Sequence, residues 1–413
     1  MTRDTRVVIT GCGVLSSIGD NLEDFWDSLC NGNIGYTDIE SIDTTKYTTS
    51  IGGFIKDYDA QKYIPEYDKK EKFLGKTSQY AISAAYMALE DSGLQHEKLK
   101  DVNAGCAIGT TDGEPQSIEK MNLTLAGLKN KLDEQAVKLI SPHRIAQAVA
   151  REFGLNKFAC TFGSACTAGN HAIIYAYEKI KANEAEVMFA GGADSFSRKT
   201  FTGFNRLGAT AKSKCSPFDV ERDGMVVSEG AGVVVLESLE HALKRNARIY
   251  AEVVGCGISC DAHHMTMPNE NGVALAMENA LDDAGIKASE VGFISAHGTG
   301  TPANDTVESN VINQIYGDKV PVGANKSVLG HTMGAASALN VITVALAMQK
   351  GLLPKSSNTS SLDPNCKINC LLDNSKKNID YGQANGFAFG GNNGVVILKN
   401  GNLLEGKNEY ENK

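Results

Sequence analysis

The chain has 413 residues, of which 42% are hydrophobic and 22% charged, too long for one ordinary domain and rich enough in apolar residues for large cores. A net charge of −9 removes any general electrostatic pull toward nucleic acid or anionic lipid. No apolar run reaches membrane-spanning length, and MTRDTRVVITGCGVLSS lacks the apolar core of a secretory signal, so a reduced, cytoplasmic protein is expected.

In chain order, VITGCGVLS (8–16) reads as a strand entering a tight Gly-Cys-Gly turn. AYMALEDSGL (85–94) reads as an amphipathic helix closed by a glycine cap, and AGCAIGT (104–110) as a short buried strand. A polar insertion is expected from about 111 to 150, packed outside the first sheet. CTFGSACTAGNHAIIYAYEKIK then carries small residues into Cys166 and starts a helix, and EVMFA and GAGVVVLE (230–237) are continuous apolar strands. From about residue 250 the pattern repeats. EVVGCGIS (252–259), AMENALDDAGI (276–286), VGFISAHGT (291–299) and GNNGVVILK (391–399) match the four earlier segments in the same order. The repeat predicts duplicated α/β halves, 1–250 and 251–413, whose sheets share helices in an αβαβα stack. The tail after Asn400 reads as charged and frayed.

Chemistry concentrates at three places. A cysteine at a strand-to-helix turn sits at the positive end of a helix dipole, which favours thiolate, and its small neighbours let a substrate carbonyl approach. A buried structural thiol is the alternative for each of the 10 cysteines. His297 in SAHGTGTPANDTVE and His331 in GANKSVLGHTMGAAS lie in Gly-rich turns after apolar strands, which makes a Cys-His-His constellation plausible. Lys326 either orients and charge-balances that site or forms a structural ion pair with Glu308. Cys256/Cys260 and Cys366/Cys370 have CxxxC spacing, but zinc pairs are usually tighter and supported by histidine, and no metal is expected.

SACTAG around Cys166, ERDGMVVSEGAGVVVLE (221–237), HGTGTPANDTVE, NKSVLGHTMGAAS and GFAFGGNN together resemble the β-ketoacyl-acyl carrier protein synthase family, in particular its elongating branch with the thiolase fold. The resemblance runs from about residue 5 to 400. It implies an acyltransferase that condenses a Cys-bound acyl chain with malonyl-carrier, releasing CO₂, in fatty-acid or polyketide/polyene elongation. By motif, Cys166 is the nucleophile, and His297 and His331 are the decarboxylation pair. Lys326 matches the family's active-site lysine, and Phe389 matches the gating phenylalanine whose N–H completes the oxyanion hole. Thr299 and Thr301 match the threonines that bind the pantetheine amides, with Thr266 in a loop that joins them. No bound cofactor is implied, because the carrier's phosphopantetheine arm delivers both substrates.

The expected partners are an acyl carrier protein and a second ketosynthase-like subunit, identical or not. Lys69, Lys70, Lys72 and Arg206 are the candidate carrier-docking cations, against the alternative of an ordinary solvated charge run. Two departures stand out. Ala388 and Asn392 replace the usual Gly and Thr of the gating loop, which predicts stiffer gating. Asp112 stands about where an apolar residue lines the acyl tunnel, which predicts a polar, unsaturated or polyketide-like chain, or a pocket altered by a different partner. A ketosynthase paired with a chain-length subunit, or a non-catalytic partner subunit, are the alternatives; retention of the Cys-His-His set argues against the second. A thiolase is disfavoured because the FAFGG turn lacks a cysteine.

Overall fold

A computed structural model of the protein describes residues 5–128 and 134–404. The frayed tail expected after Asn400 lies, from residue 405, outside the described residues.

One sheet of 11 strands runs through the molecule, but its connectivity divides it in two. In the first half the spatial order is Ala159–Phe162, Ala104–Gly109, Val187–Asp194, Gly230–Ser238, Val7–Ser16. In the second it is Pro321–Gly323, Val291–Ser295, Tyr381–Phe387, Asn392–Asn400, Ala251–Cys260, with Asn369–Cys370 as an added edge. In each half the first three strands are parallel and the remaining two pairings antiparallel. The halves touch in the sheet only where Val7–Ile9 pair with Ala251–Val253. This is the thiolase-type duplication that the repeats predict.

Two helices, Ala168–Lys181 and Ala336–Lys350, fill the space between the halves. Ala336–Lys350 is buried on every side through Met348, as a helix sandwiched between sheets and a second helix must be. One core joins this middle layer to both sheets, through Val234 and Leu236 on one side and Ala384 and Val396 on the other. The outer faces carry separate cores under Lys76–Ser92 and Glu270–Ala284. Helix, sheet, helix, sheet, helix is the resulting order.

Two expectations need correction. Gly-Cys-Gly does not end either strand; Gly11, Gly13, Gly255 and Gly257 lie inside Val7–Ser16 and Ala251–Cys260. A Cβ at any of them would collide with main-chain oxygens of the overlying helix, at Ala88, Ala84, Ala280 and Ala276. The glycines serve close helix-on-sheet packing, not a turn. The insertion is also shorter than expected: Arg144–Phe153 packs Ile145, Ala146, Val149 and Phe153 into the outer core of the first half, leaving Pro115–Leu125 and Glu134–Leu139 as the added helices. No helix among the described residues is long and apolar enough to cross a membrane.

Candidate active site

Strand Ala159–Phe162 ends just before a single 3-10 turn, Ala165–Thr167, that leads into the first central helix. Ala165 takes φ 52°, a left-handed conformation that costs a residue with a Cβ roughly 1–2 kcal/mol. That bend sets Cys166 at the head of the helix. The opposite half supplies His297, just beyond strand Val291–Ser295, and His331, just beyond the short helix Lys326–Leu329.

The Cys166 Sγ and a ring nitrogen of each histidine lie within 4.8 Å of one another, and all three residues are buried. The imidazoles meet edge to face, with centroids 5.4 Å apart. Burial, reinforced by Lys326, pushes both histidines well below their ordinary pKa, so they are neutral at pH 7. The Met333 N–H donates to His331 Nδ1 at 3.1 Å, and Lys326 Nζ lies 3.4 Å from His297 Nδ1. With each Nδ1 taken as acceptor, a neutral ring carries its hydrogen on Nε2, leaving two N–H donors for a substrate oxygen. The same tautomer leaves Nε2 no lone pair for a metal ion, although three ligating residues stand together here. Cys256 and Cys260 do not converge. Cys256 and Cys260 are four residues apart on one strand, about 13 Å by the rise of extended chain.

The thiol departs from the helix-dipole expectation. Burial pushes Cys166 up to about 11, while the Lys326 charge and the N–H groups of Cys166 and Phe389 pull the other way without prevailing. The resting residue is a thiol. Those two N–H groups are both directed at the sulfur.

Lys326 forms no ion pair with Glu308 within bonding distance; its Nζ donates to the His297 carbonyl at 2.5 Å. Glu308 instead accepts the His297 and Gly298 N–H groups, each at 2.8 Å, and Asp305, one helical turn earlier, accepts those of Thr299 and Gly300. Consecutive amides of the histidine loop are thus held by two carboxylates at i and i+3 of helix Pro302–Tyr316. Sequence reasoning gave neither acid this task, although the DTVE spacing carries the signal.

A cavity of about 310 Å³ opens above Cys166. His297, His331, Thr299, Thr301, Thr266 and Phe389 all line it. Its outer wall includes the exposed Leu207 and Met265. The Gly390 N–H donates to the Met265 carbonyl at 2.8 Å, and Asp261 ties to both Gly391 and Asn393, so the Phe389 loop and the Thr266 loop are joined. In the Phe389 loop Gly390 and Gly391, not Ala388, hold the left-handed conformations.

The remaining candidates sit elsewhere. Asp112 is absent from the cavity wall; it is buried, paired with Lys199 at 2.5 Å, and hydrogen-bonded to Thr200. Lys69 pairs with Glu66, Lys70 with Glu152, and Lys72 lies over the Phe73 ring. Lys69 and Lys70 line a separate groove with Arg144 and Arg151 that shares no lining residue with the Cys166 cavity. Arg206 is exposed and directly precedes Leu207 at the cavity wall.

Comparison with known proteins matches residues 4–242 to the β-ketoacyl synthase N-terminal domain and 250–360 to the C-terminal domain. The chain is 36% identical to 3-oxoacyl-[acyl-carrier-protein] synthase 2 of Vibrio cholerae, over 95% of this chain and 99% of that one. It is 34% identical to nodulation protein E of Rhizobium leguminosarum bv. trifolii, covering 96% and 99%. Among solved structures, the ishigamide ketosynthase/chain length factor superposes with a TM-score of 0.92 at 40% identity, over 96% of this chain and 99% of that chain. A β-ketoacyl synthase from Burkholderia phymatum gives 0.91 at 31%, with coverage of 96% and 99%. A type II polyketide ketosynthase in complex with its acyl-carrier protein gives 0.86 at 28%, with coverage of 96% and 100%.

Proposed function

This chain belongs to the β-ketoacyl synthase family, an acyl-transferring class of condensing enzymes, and from that premise we propose how its residues divide the reaction. Cys166 attacks the thioester of an acyl chain brought by a carrier protein's phosphopantetheine arm. The acyl–Cys bond forms, the pantetheine sulfur leaves, and the Cys166 proton ends on the departing thiol. Malonyl-carrier then enters, and its thioester carbonyl accepts the Nε2–H groups of His297 and His331. Loss of CO₂ leaves the electron pair in an enolate whose oxygen those donors stabilise, so no general base is needed. The enolate carbon attacks the Cys166 thioester, and the Cys166 and Phe389 N–H groups hold the oxyanion until Cys166 is expelled. Thr299, Thr301 and Thr266 hold the pantetheine arm along the cavity. Lys326 fixes the His297 loop and keeps both imidazoles neutral.

The observation that carries this reading is the meeting of one thiol and two neutral imidazoles at the head of one cavity. Incubation with acyl-carrier should add the acyl mass to Cys166, and CO₂ release from malonyl-carrier should need both histidines. A Cys166 that takes no acyl group would overturn the proposal.

Arg206, beside the cavity wall, is the docking cation best placed for an acidic carrier; Lys69 and Lys70 would act from the separate groove, and Lys72 from beside Phe73. The division into catalytic halves falls near residue 250, and the protein works in the cytoplasm, where acyl carriers are found. A second reading, a ketosynthase subunit paired with a chain-length subunit, draws support from the likeness to the ishigamide ketosynthase/chain length factor. Primers separate the options: efficient elongation of saturated C14–C16 chains would remove the case for a polar or polyene product. Native mass of the protein expressed with and without a neighbouring paralogue would distinguish homodimer from heterodimer.

A further inference from the structure

Strand Tyr381–Phe387 alternates in a way the reaction above does not explain. Gly382 and Gly386 face the central helices; a Cβ on Gly382 would meet Val344 and Met348, and one on Gly386 would meet Ser337 and Thr167. The other face carries Gln383, Asn385 and Phe387 toward helix Pro302–Tyr316, where a buried parallel-type strand would ordinarily place apolar residues. Gln383 and Asn385 are both fully buried. Two amides in a core are expensive unless every donor and acceptor is used in a set direction.

Here they are used in one direction. The Tyr316 hydroxyl donates to Gln383 Oε1. Gln383 Nε2 donates to Asn385 Oδ1 at 2.7 Å, and Asn385 Nδ2 donates to Glu308 Oε1 at 2.9 Å. Glu308 then accepts the main-chain N–H groups of His297 and Gly298. From the inner side, Asn340 donates to the carbonyls of Ala296 and Asn385, both at 3.0 Å, so the residue before His297 is tied to the same strand. Phe387, next on that face, touches the His297 ring with centroids 5.9 Å apart.

We propose that Tyr316, Gln383 and Asn385 form a one-directional hydrogen-bonded relay that positions His297 for decarboxylation by holding Glu308 against the His297–Gly298 main chain. The proposal rests on the assignment of His297 to the decarboxylation step. None of the three touches substrate; they are positioning residues. The relay starts from a donor-only use of a phenol and ends on a carboxylate, so each link polarises the next toward Glu308. The other ionisable groups facing Glu308 are Lys326, Asp305 one turn back on its own helix, and His297 itself. A flipped amide at either position would set two donors or two acceptors against each other and release the carboxylate.

The two half-reactions separate this role from a structural one. Acylation of Cys166 does not use His297, whereas CO₂ release from malonyl-carrier does. Gln383→Leu and Tyr316→Phe should each lower CO₂ release about tenfold, as small misplacements of a reacting group do, with acylation of Cys166 unchanged. The acid limb of the CO₂-release profile should move to higher pH, because Glu308 loses support for its charge. The double variant Tyr316→Phe/Gln383→Leu, which removes the phenol and its acceptor together and leaves only Asn385 Oδ1 short of a donor, keeps the test alive if either single variant folds poorly. Equal loss of both half-reactions, or an unmoved acid limb, would overturn the relay. His297→Ala is the control: if it spares CO₂ release, the functional reading fails and the relay falls with it; if it abolishes CO₂ release while the relay variants do not, the relay alone fails.

Discussion

Two turns of this molecule share one backbone plan and do opposite things. Ser164–Thr167 and Thr332–Ala335 each lead into a central helix through a single 3-10 turn, and each begins with a left-handed residue that is not glycine: Ala165 at φ 52° and Met333 at φ 51°. The next residue is Cys166 in one and Gly334 in the other. Cys166 keeps its side chain and directs its N–H toward its own sulfur, where an oxyanion can be held. Gly334 has no room for a side chain; a Cβ would stand 2.7 Å from Thr110 Cα and 2.8 Å from Asp194 Oδ2. Its N–H donates to Asp194 at 2.7 Å, and Asp194 also accepts from Thr110, Thr111 and Asp112. One copy of the turn opens onto a cavity, and the other locks the second half onto the first beside it.

The largest effect should come from breaking the reactive turn. Cys166→Ala should reduce condensation by about 10⁴-fold or more, since no covalent intermediate can form, measured as β-ketoacyl product with acyl- and malonyl-carriers. Next, His331→Ala removes one of two donors to the enolate and should lower CO₂ release by about 10²–10³-fold, with acylation of Cys166 retained. Acylation lost to the same degree would mean that His331 also serves the first half-reaction.

Gly334→Ala attacks the locking turn instead, and should destabilise the fold by about 3 kcal/mol through forced overpacking, read as a shift in denaturation midpoint. If Gly334→Ala were as stable as the parent, the contrast between the turns would collapse. The smallest effect concerns pH. Burial, with Asp112 nearby, raises the Asp194 carboxyl to about 7, and burial raises Glu114 to about 7. Both lie above the ordinary carboxylate range, so the folded state binds more protons than the unfolded one between about pH 4 and 7. Their contribution therefore falls as pH rises through that window and levels off above it. Asp194→Asn should be less stable overall, with a deficit that narrows from pH 5 to 7.5 in thermal melts. A deficit that stays constant across that range would mean Asp194 is ionised throughout.

The repeated strands, the glycine-capped helices and the Cys166, His297 and His331 turns were legible because each is a local pattern: a buried β-branched run, a period of 3.6, or small residues around a reactive one. The pairing of the two turns was not, because Phe-Gly-Ser-Ala-Cys-Thr and Gly-His-Thr-Met-Gly-Ala share only backbone dihedrals. Gly-Cys-Gly was read as a turn because glycine marks both bends and close approach, and only the helix lying above distinguishes them.

By itself the sequence determined the duplicated α/β architecture and singled out Cys166, His297 and His331, which the fold brings together, since those depend on residue type and local spacing. Tertiary structure decided the protonation states. A helix head favours thiolate, yet burial in this core outweighs the two amides and Lys326 and pushes the Cys166 thiol up to about 11. It also decided which carboxylates hold the histidine loop, because Asp305 and Glu308 meet four successive amides only when the helix and strand fold against each other.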